Sequence, residues 1–355
     1  MQIKFTIIAL LIYGQVAMAQ TDSIHLFKAD NPNIQYTGRF DYSRPAVPRI
    51  WSPGGYFKAR FIGSSCEIIL NDEELYGKNH NYLEIVIDHN KPFRIQTTGK
   101  TNSIKVAEGL QGKEHELLVC KNTESNIGYI ELVGIKCKRL LPLPAKPVRK
   151  IEFIGNSITC GTGSDISMVP CGKGQWQDQH NAYMSYGPVT ARALNAQWHL
   201  TSVSGIGLIH SCCNMTVTMP QVFDKVNLRD DSIIWNFNKY QPNVVTICLG
   251  QNDGVQDSTK YCSAYVDFIK TIRSHYPDAT VVCLTSPMAD SALVKVMMNY
   301  LTGIVSFVNK NGDSNVYKYF FTKRYNHGCG DHPDLEEHQQ IADELINYIR
   351  KTKKW

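Results

Sequence analysis

Residues 151–161 read Ile-Glu-Phe-Ile-Gly-Asn-Ser-Ile-Thr-Cys-Gly. The apolar run 151–154 has the length of a buried strand, and Gly155 to Gly163 turns the chain out of it. A serine at a tight strand-to-helix turn can present its hydroxyl outward, with its own N–H near a helix start where negative charge is stabilised. The same Gly/Asn/Ser composition also serves as plain turn chemistry. Beyond it, 186–195 is predicted as helix, 199–203 as strand, 244–249 as strand and 259–275 as helix. A strand at 280–284, a helix at 292–309, a strand at 316–321 and a helix at 335–350 complete the series. Alternation of strand and helix at this spacing implies a parallel sheet covered on both faces. The last helix places His338, Ile341, Ala342, Leu345 and Ile349 on one face, with Asp334 and Glu337 able to cap its start.

Toward the N-terminus the period changes. Runs at 56–61, 66–70, 82–87, 93–97, 103–106, 116–120 and 129–135 are short, and several alternate apolar with polar residues. That pattern predicts a β-sandwich; in Leu83-Glu84-Ile85 and Cys66-Glu67-Ile68 the glutamate is expected to face water. Leu141-Pro142-Leu143-Pro144-Ala145-Lys146-Pro147 is a stiff extended linker. The expected division is therefore a sandwich over 20–140, a linker over 141–148 and an α/β domain over 149–355. Residues 1–19 read as an export signal: Lys4, an apolar stretch from Phe5 to Tyr13, and Ala17-Met18-Ala19 before Gln20. The apolar stretch is about half the ~18 residues a membrane anchor needs. No later stretch reads as long and apolar enough to span a bilayer, so the mature chain is expected to be soluble and periplasmic or extracellular.

The chain has 355 residues, 43% hydrophobic and 19% charged, a globular profile too long for one ordinary domain. Its net charge of +5 is too mild for a nucleic-acid binder. Eleven cysteines occur with no Cys-x-x-Cys spacing, which argues against a zinc ribbon or thioredoxin-like site. An oxidising compartment permits disulfides. Cys160 and Cys171, closing a short Gly- and Pro-containing loop, are the candidate pair, whereas Cys66, Cys120, Cys248 and Cys283 lie in apolar runs and read as buried thiols.

In a doubly covered parallel sheet, functional groups gather on loops beyond the carboxyl ends of the strands. Four loops qualify. Ser157 follows the first strand and Gly205, in Ser204-Gly205-Ile206-Gly207, lets an oxygen approach the backbone N–H. Asn252, in Gly250-Gln251-Asn252-Asp253, offers side-chain N–H donors, and His332 stands just before the capped helix. Asn252 is equally compatible with a turn, and any one of the 11 histidines with a structural role.

These four blocks resemble those of the SGNH (GDSL-type) hydrolase superfamily. Tyr36-Thr37-Gly38-Arg39, Trp51-Ser52-Pro53-Gly54, the 151–161 string and the segment 329–338 are similar to carbohydrate esterase family 2. The resemblance implies a flavodoxin-like three-layer α/β/α domain with a parallel sheet, preceded by an all-β jelly roll, and removal of acetyl groups from plant polysaccharides. It makes Ser157 the nucleophile and His332 the general base, and puts the oxyanion on the N–H groups of Ser157 and Gly205 and the Asn252 side chain. No metal or cofactor is implied. Many relatives place an Asp three residues before the histidine, some two; here those positions are Cys329 and Gly330. Asp331 is adjacent to His332 and poorly placed to reach the far imidazole nitrogen, so a Ser-His dyad oriented by a main-chain carbonyl is expected, with Asp331 as the alternative orienting acid. Asp331 also stands where the family often has an aromatic that could stack on sugar. Trp176, in the polar loop after the nucleophile, is the candidate substrate contact, or else a lid residue that only packs. The sandwich aromatics Tyr36, Trp51, Tyr56 and Tyr82 are expected to pack rather than bind glycan. The partner implied is an acetylated polysaccharide or oligosaccharide; the competing readings are an esterase for another acyl group and an idle glycan-binding protein.

Overall fold

The computed structural model describes residues 23–229, 233–321 and 323–355; the signal read at 1–19 lies outside them. The first part is built from β1 (His25–Lys28), β2 (Ile34–Thr37), β3 (Arg49–Ile50), β4 (Tyr56–Ile62), β5 (Cys66–Asp72), β6 (Tyr82–Ile87), β7 (Phe93–Gln96), β8 (Thr101–Ala107), β9 (Glu114–Lys121), β10 (Ile130–Cys137) and β11 (Arg139–Leu141). One antiparallel sheet runs β1-β10-β5-β8 with β3 beside β10, the other β11-β4-β9-β6-β7 with β2 beside β4. Phe57, Phe61, Ile68, Leu70, Leu83, Ile85, Leu117 and Ile135 fill the space between them. The strands β1, β2, β3 and β11 were not foreseen, being two to four residues long, too short to display a period.

One reading of the alternation is corrected. Glu67 is half-exposed, but Glu84 is 3% exposed and accepts from Asn122 Nδ2 at 2.7 Å and Asn181 Nδ2 at 3.1 Å. Every residue of β6 is buried because the outer face of this sheet is covered by the second half of the chain. Tyr56, Val86, Leu118 and Cys120 there share one apolar cluster with Phe153, Trp198 and Leu200. The sandwich aromatics pack: Tyr56 stacks on Trp198 with centroids 4.1 Å apart, Trp51 lies edge-on to Tyr129, Tyr36 against Phe40, and the Tyr82 hydroxyl reaches Asp178 at 3.1 Å.

Residues 142–148 have no regular structure, and both halves hold them: Gln35 Nε2 donates to Pro144 O at 2.9 Å and Gln197 Nε2 to Pro147 O at 2.7 Å. The second part contains β12 (Arg149–Gly155), β13 (Ala196–Ser202), β14 (Val244–Cys248), β15 (Thr280–Leu284) and β16 (Val316–Tyr319), all parallel, in the order β13-β12-β14-β15-β16. This is the flavodoxin-like order, whose crevice opens where the winding reverses, at the carboxyl ends of the strands. Its helices are α1 (Ser157–Cys160), α2 (Tyr186–Ala193), α3 (Met219–Val222), α4 (Ser258–His275), α5 (Ser291–Lys310) and α6 (Leu335–Lys353). On α6, Ile341, Ala342, Leu345 and Ile349 are buried with His338, and Asp334 and Glu337 form the capping box. By length and composition α5, 20 residues with an 18-residue window of mean hydropathy 1.4, is long and apolar enough to cross a bilayer, which corrects the expectation that no such stretch follows residues 1–19. Leu293, Met297, Leu301, Ile304, Val305 and Val308 on α5 are buried, most of them in the core beside β15 and β16. Those in that core pack α5 against the sheet.

A buried ion pair ties the two parts together. Arg39 Nη2, from the loop after β2, lies 2.8 Å from Glu152 Oε1 on β12, with the side chains 1% and 0% exposed. Arg39 Nη1 also donates to Phe223 O at 2.5 Å and Lys225 O at 2.8 Å.

Candidate active site

Ser157 is the first residue of α1, one position after the Asn156 cap, whose Oδ1 accepts from Ile158 N at 3.1 Å. Gly155 makes this turn possible: a Cβ there would lie 2.1 Å from Thr159 Oγ1. At the other end of α1, Gly161 has φ 71° and a Cβ on it would meet Asn181 O at 2.3 Å, so only glycine closes so short a helix.

The chain brings His332 to this turn from 175 residues away: its Nε2 is 2.8 Å from Ser157 Oγ. On the far side of the ring Nδ1 is 2.9 Å from Gly330 O and 3.3 Å from Cys329 O. Two carbonyls can only accept, so Nδ1 carries the proton and Nε2 offers its lone pair to the serine hydroxyl. Partial withdrawal from water pushes the His332 pKa below its ordinary value, against the opposing pull of those carbonyls and of Asp331. The imidazole is thus neutral at neutral pH. Asp331 itself makes no hydrogen bond to the ring among the described residues; it is exposed, with φ 57°.

Gly205, after β13, has φ 84°, and a Cβ there would press on Cys212 Sγ at 3.2 Å. Among the described residues neither the Ser157 nor the Gly205 N–H has a protein acceptor. Asn252, after β14, donates one Nδ2 hydrogen to Ile206 O at 2.8 Å. Its neighbour Asp253 accepts from the backbone N–H groups of Leu208, Ile209 and His210 at 2.8–3.0 Å, which clamps the Gly205 loop to the Asn252 loop. His332, Trp176, Gly163 and Gln179 line a cleft of about 360 Å³. Trp176 is 50% exposed and meets His180 edge-on at 4.2 Å.

Three features were not anticipated. Glu124, from the sandwich, is buried beneath the site; its Oε2 accepts from Ser204 N at 2.6 Å, one residue before Gly205, and burial pushes its pKa up. Beside it Lys121 is buried too, donating to Thr123 O at 2.6 Å, and burial pushes its pKa down to about 7. Second, Cys171 pairs with Cys329, not with Cys160. Cys160 is a free thiol on α1, buried 3.2 Å from Ser202 Oγ, out of reach of the exposed loop that carries Cys171. Third, Cys212 and Cys213 form a disulfide next to Gly205. Cys66, Cys120, Cys248 and Cys283 are free and buried. No local pattern announces Glu124 or the Cys171 pairing, since each partner lies 80 or more residues away. Among the described residues no group of three His, Cys, Asp or Glu side chains could hold a metal ion.

Residues 36–144 match the carbohydrate esterase 2 N-terminal family and residues 153–327 the GDSL-like lipase/acylhydrolase family. A family two carbohydrate esterase from Clostridium thermocellum, solved in complex with cellohexaose, is 31% identical over 91% of this chain and 99% of its own, with a TM-score of 0.83. Cellulase/esterase CelE of Acetivibrio thermocellus is 33% identical over 92% of this chain, which spans 40% of the length of that protein. An acetylxylan esterase/glucomannan deacetylase of Cellvibrio japonicus is 26% identical over 94% of this chain and 92% of its own.

Proposed function

The chain belongs to family two of the carbohydrate esterases, and from that premise we propose that it is an exported O-acetylesterase that removes acetyl groups from plant cell-wall polysaccharides such as xylan or mannan. The observation that carries the reading is the 2.8 Å contact between Ser157 Oγ and a His332 whose other nitrogen is held by carbonyls. Serine is a weak nucleophile until a neutral imidazole takes its proton. Ser157 then attacks the acetyl carbonyl. The tetrahedral oxyanion is held by the N–H groups of Ser157 and Gly205 and by the second Nδ2 hydrogen of Asn252. The imidazolium returns the proton to the departing sugar hydroxyl, and His332 next activates the water that releases acetate. The sugar is held in the cleft beside Trp176, whose exposed ring suits stacking on a pyranose. The names of the relatives, an acetylxylan esterase and glucomannan deacetylase among them, support acetylated glycan as the substrate class.

The test is acetate release from acetylated xylan, acetylated glucomannan and a series of simple esters of rising acyl length, run beside Ser157→Ala. Acetate from the polysaccharides that disappears in the variant supports the proposal. Binding without release from any ester would make the chain a glycan-binding protein, and preference for long acyl chains a lipid esterase.

A further inference from the structure

The segment that carries His332 has little regular structure of its own. Between Lys323 and Leu335 it makes a tight turn, Cys329–Asp331. Gly330 (φ 62°) and Asp331 (φ 57°) are both left-handed in succession, and this turns the carbonyls of Cys329 and Gly330 onto Nδ1. Aspartate enters that region more readily than most L residues but at a cost that glycine does not bear, so contacts that hold the turn matter. Two backbone bonds help: Gly328 N donates to His332 O at 2.6 Å and Cys329 N to Gly163 O at 2.8 Å. Upstream, Tyr325 N donates to Pro287 O at 2.9 Å, and Asn326 N and His327 N donate to the Glu337 carboxylate at 3.1 and 2.8 Å; at the turn itself there is also a covalent tie, the bond from Cys329 to Cys171.

Cys171 is itself well anchored. Gln179 Nε2 faces the carbonyls of Val169, Pro170 and Lys173 at 3.1–3.3 Å, gathering the backbone on both sides of the cysteine. Gln179 is buried, and the adjoining loop is bound to the sandwich through Arg94, which donates to Asp178 O and His180 O. No carboxylate performs the orienting task at Nδ1 among the described residues.

We propose that the Cys171–Cys329 disulfide is a positioning element of the esterase, fixing the two carbonyls that hold His332 and so taking the part that an orienting carboxylate plays elsewhere. The inference rests on the reading of Ser157 and His332 given above. A histidine released from its orienting acceptor loses both tautomer and aim, and a misplacement near 1 Å costs about 10²-fold in rate. The charged or titratable groups around the ring are Asp331 on the same turn, His180 at the end of the Trp176 loop and His338 on α6. Burial keeps both of those histidines neutral, so among the described residues Asp331 is the charge that acts on the ring.

The experiment compares the parent with C171A/C329A and C171A/C329D on a small aryl acetate, well below each variant's melting temperature. The expected result is a kcat lowered by about 10–100-fold in C171A/C329A, KM within threefold of the parent and a displaced acid limb of the pH–rate profile. C171A/C329D, which offers a carboxylate three residues before His332, should recover at least tenfold of the lost kcat. The C171S/C329S pair serves the same comparison should the alanine pair fold poorly. A folded disulfide-free variant with kcat within threefold of the parent and an unmoved pH profile overturns the proposal, as does a loss that appears only in KM. A parent with no esterase activity would instead remove the underlying functional reading.

Discussion

Replacing Arg39 by Met keeps most of the apolar volume and strips out every donor that this side chain supplies to the second half of the chain. The loss has three parts. Glu152, 0% exposed and also accepting from Thr201 Oγ1 at 2.5 Å, is left as a buried carboxylate without its counter-charge. The carbonyls of Phe223 and Lys225 lose their shared donor. The rings of Phe223, Trp235 and Phe237, 5.3–5.6 Å from the guanidinium carbon, lose a cation over their faces. Breaking a buried pair from one side costs about 3–5 kcal/mol, because the orphaned charge outweighs the lost attraction. At about 2.1 cal/mol/K per residue, a chain of 355 residues has an unfolding entropy near 0.7 kcal/mol/K. Arg39→Met should therefore melt about 6 °C below the parent if the loss is about 4 kcal/mol. Adding Glu152→Gln removes the orphaned charge and should restore about half of that drop. Thermal melts followed by circular dichroism, with urea titrations at fixed pH, measure both. A drop under 2 °C, or a double variant no more stable than Arg39→Met, would refute the argument that this pair clamps the two halves.

If His332 accepts the serine proton as proposed, it must be neutral to do so, and kcat/KM should fall as pH drops through a value below the usual histidine range; an acid limb at or above pH 7 contradicts this. Asn252→Ala should lower kcat for a simple acetyl ester by about 10²–10³ with KM within a few-fold, and steady-state kinetics showing the loss in KM alone would exclude an oxyanion role. Burial pushes the Glu84 pKa up to about 7. A raised carboxyl pKa means that stability is fully present below the unfolded value near 4.5 and lost as pH rises toward 7. Glu84→Gln should thus melt higher than the parent at pH 8 and lose that advantage at pH 4.5; an advantage that is absent or reversed at pH 8 counts against burial as the cause. Trp176→Ala should raise KM at least fivefold for an acetylated oligosaccharide and leave a small aryl acetate unaffected; equal effects on both would remove its role in holding sugar.

The second half of the chain was legible because its signals are local. Short apolar runs announced the strands, those at 151–154 and 244–249 closed by a glycine, and Asp334 with Glu337 announced the start of α6. The candidates Ser157, Gly205, Asn252 and His332 could be named for the same reason, each lying beside a strand end or a helix cap. What escaped is what depends on a distant surface. The alternation around Glu84 is that of a half-solvated strand, yet a second layer of protein lies where water was expected. Cys171 was matched to the near cysteine in sequence, whereas the near cysteine in space comes 158 residues later. Glu124 sits in a short turn of the sandwich and acquires its meaning only from Ser204. Periodicity describes how an element faces one core and is silent about a second.

The placement of Asn122 and Glu124 bears on heredity as well as on chemistry. Asn122 accepts from Tyr183 N at 3.1 Å through its side chain and from Ala182 N at 3.2 Å through its carbonyl, and Glu124 supports the Gly205 turn from below. A recombination event that joined this hydrolase half to a different β-domain at the proline linker would strand those backbone groups under the loops of the candidate site. The expectation is that the two halves are inherited together, with further modules joined outside the pair rather than at the seam within it.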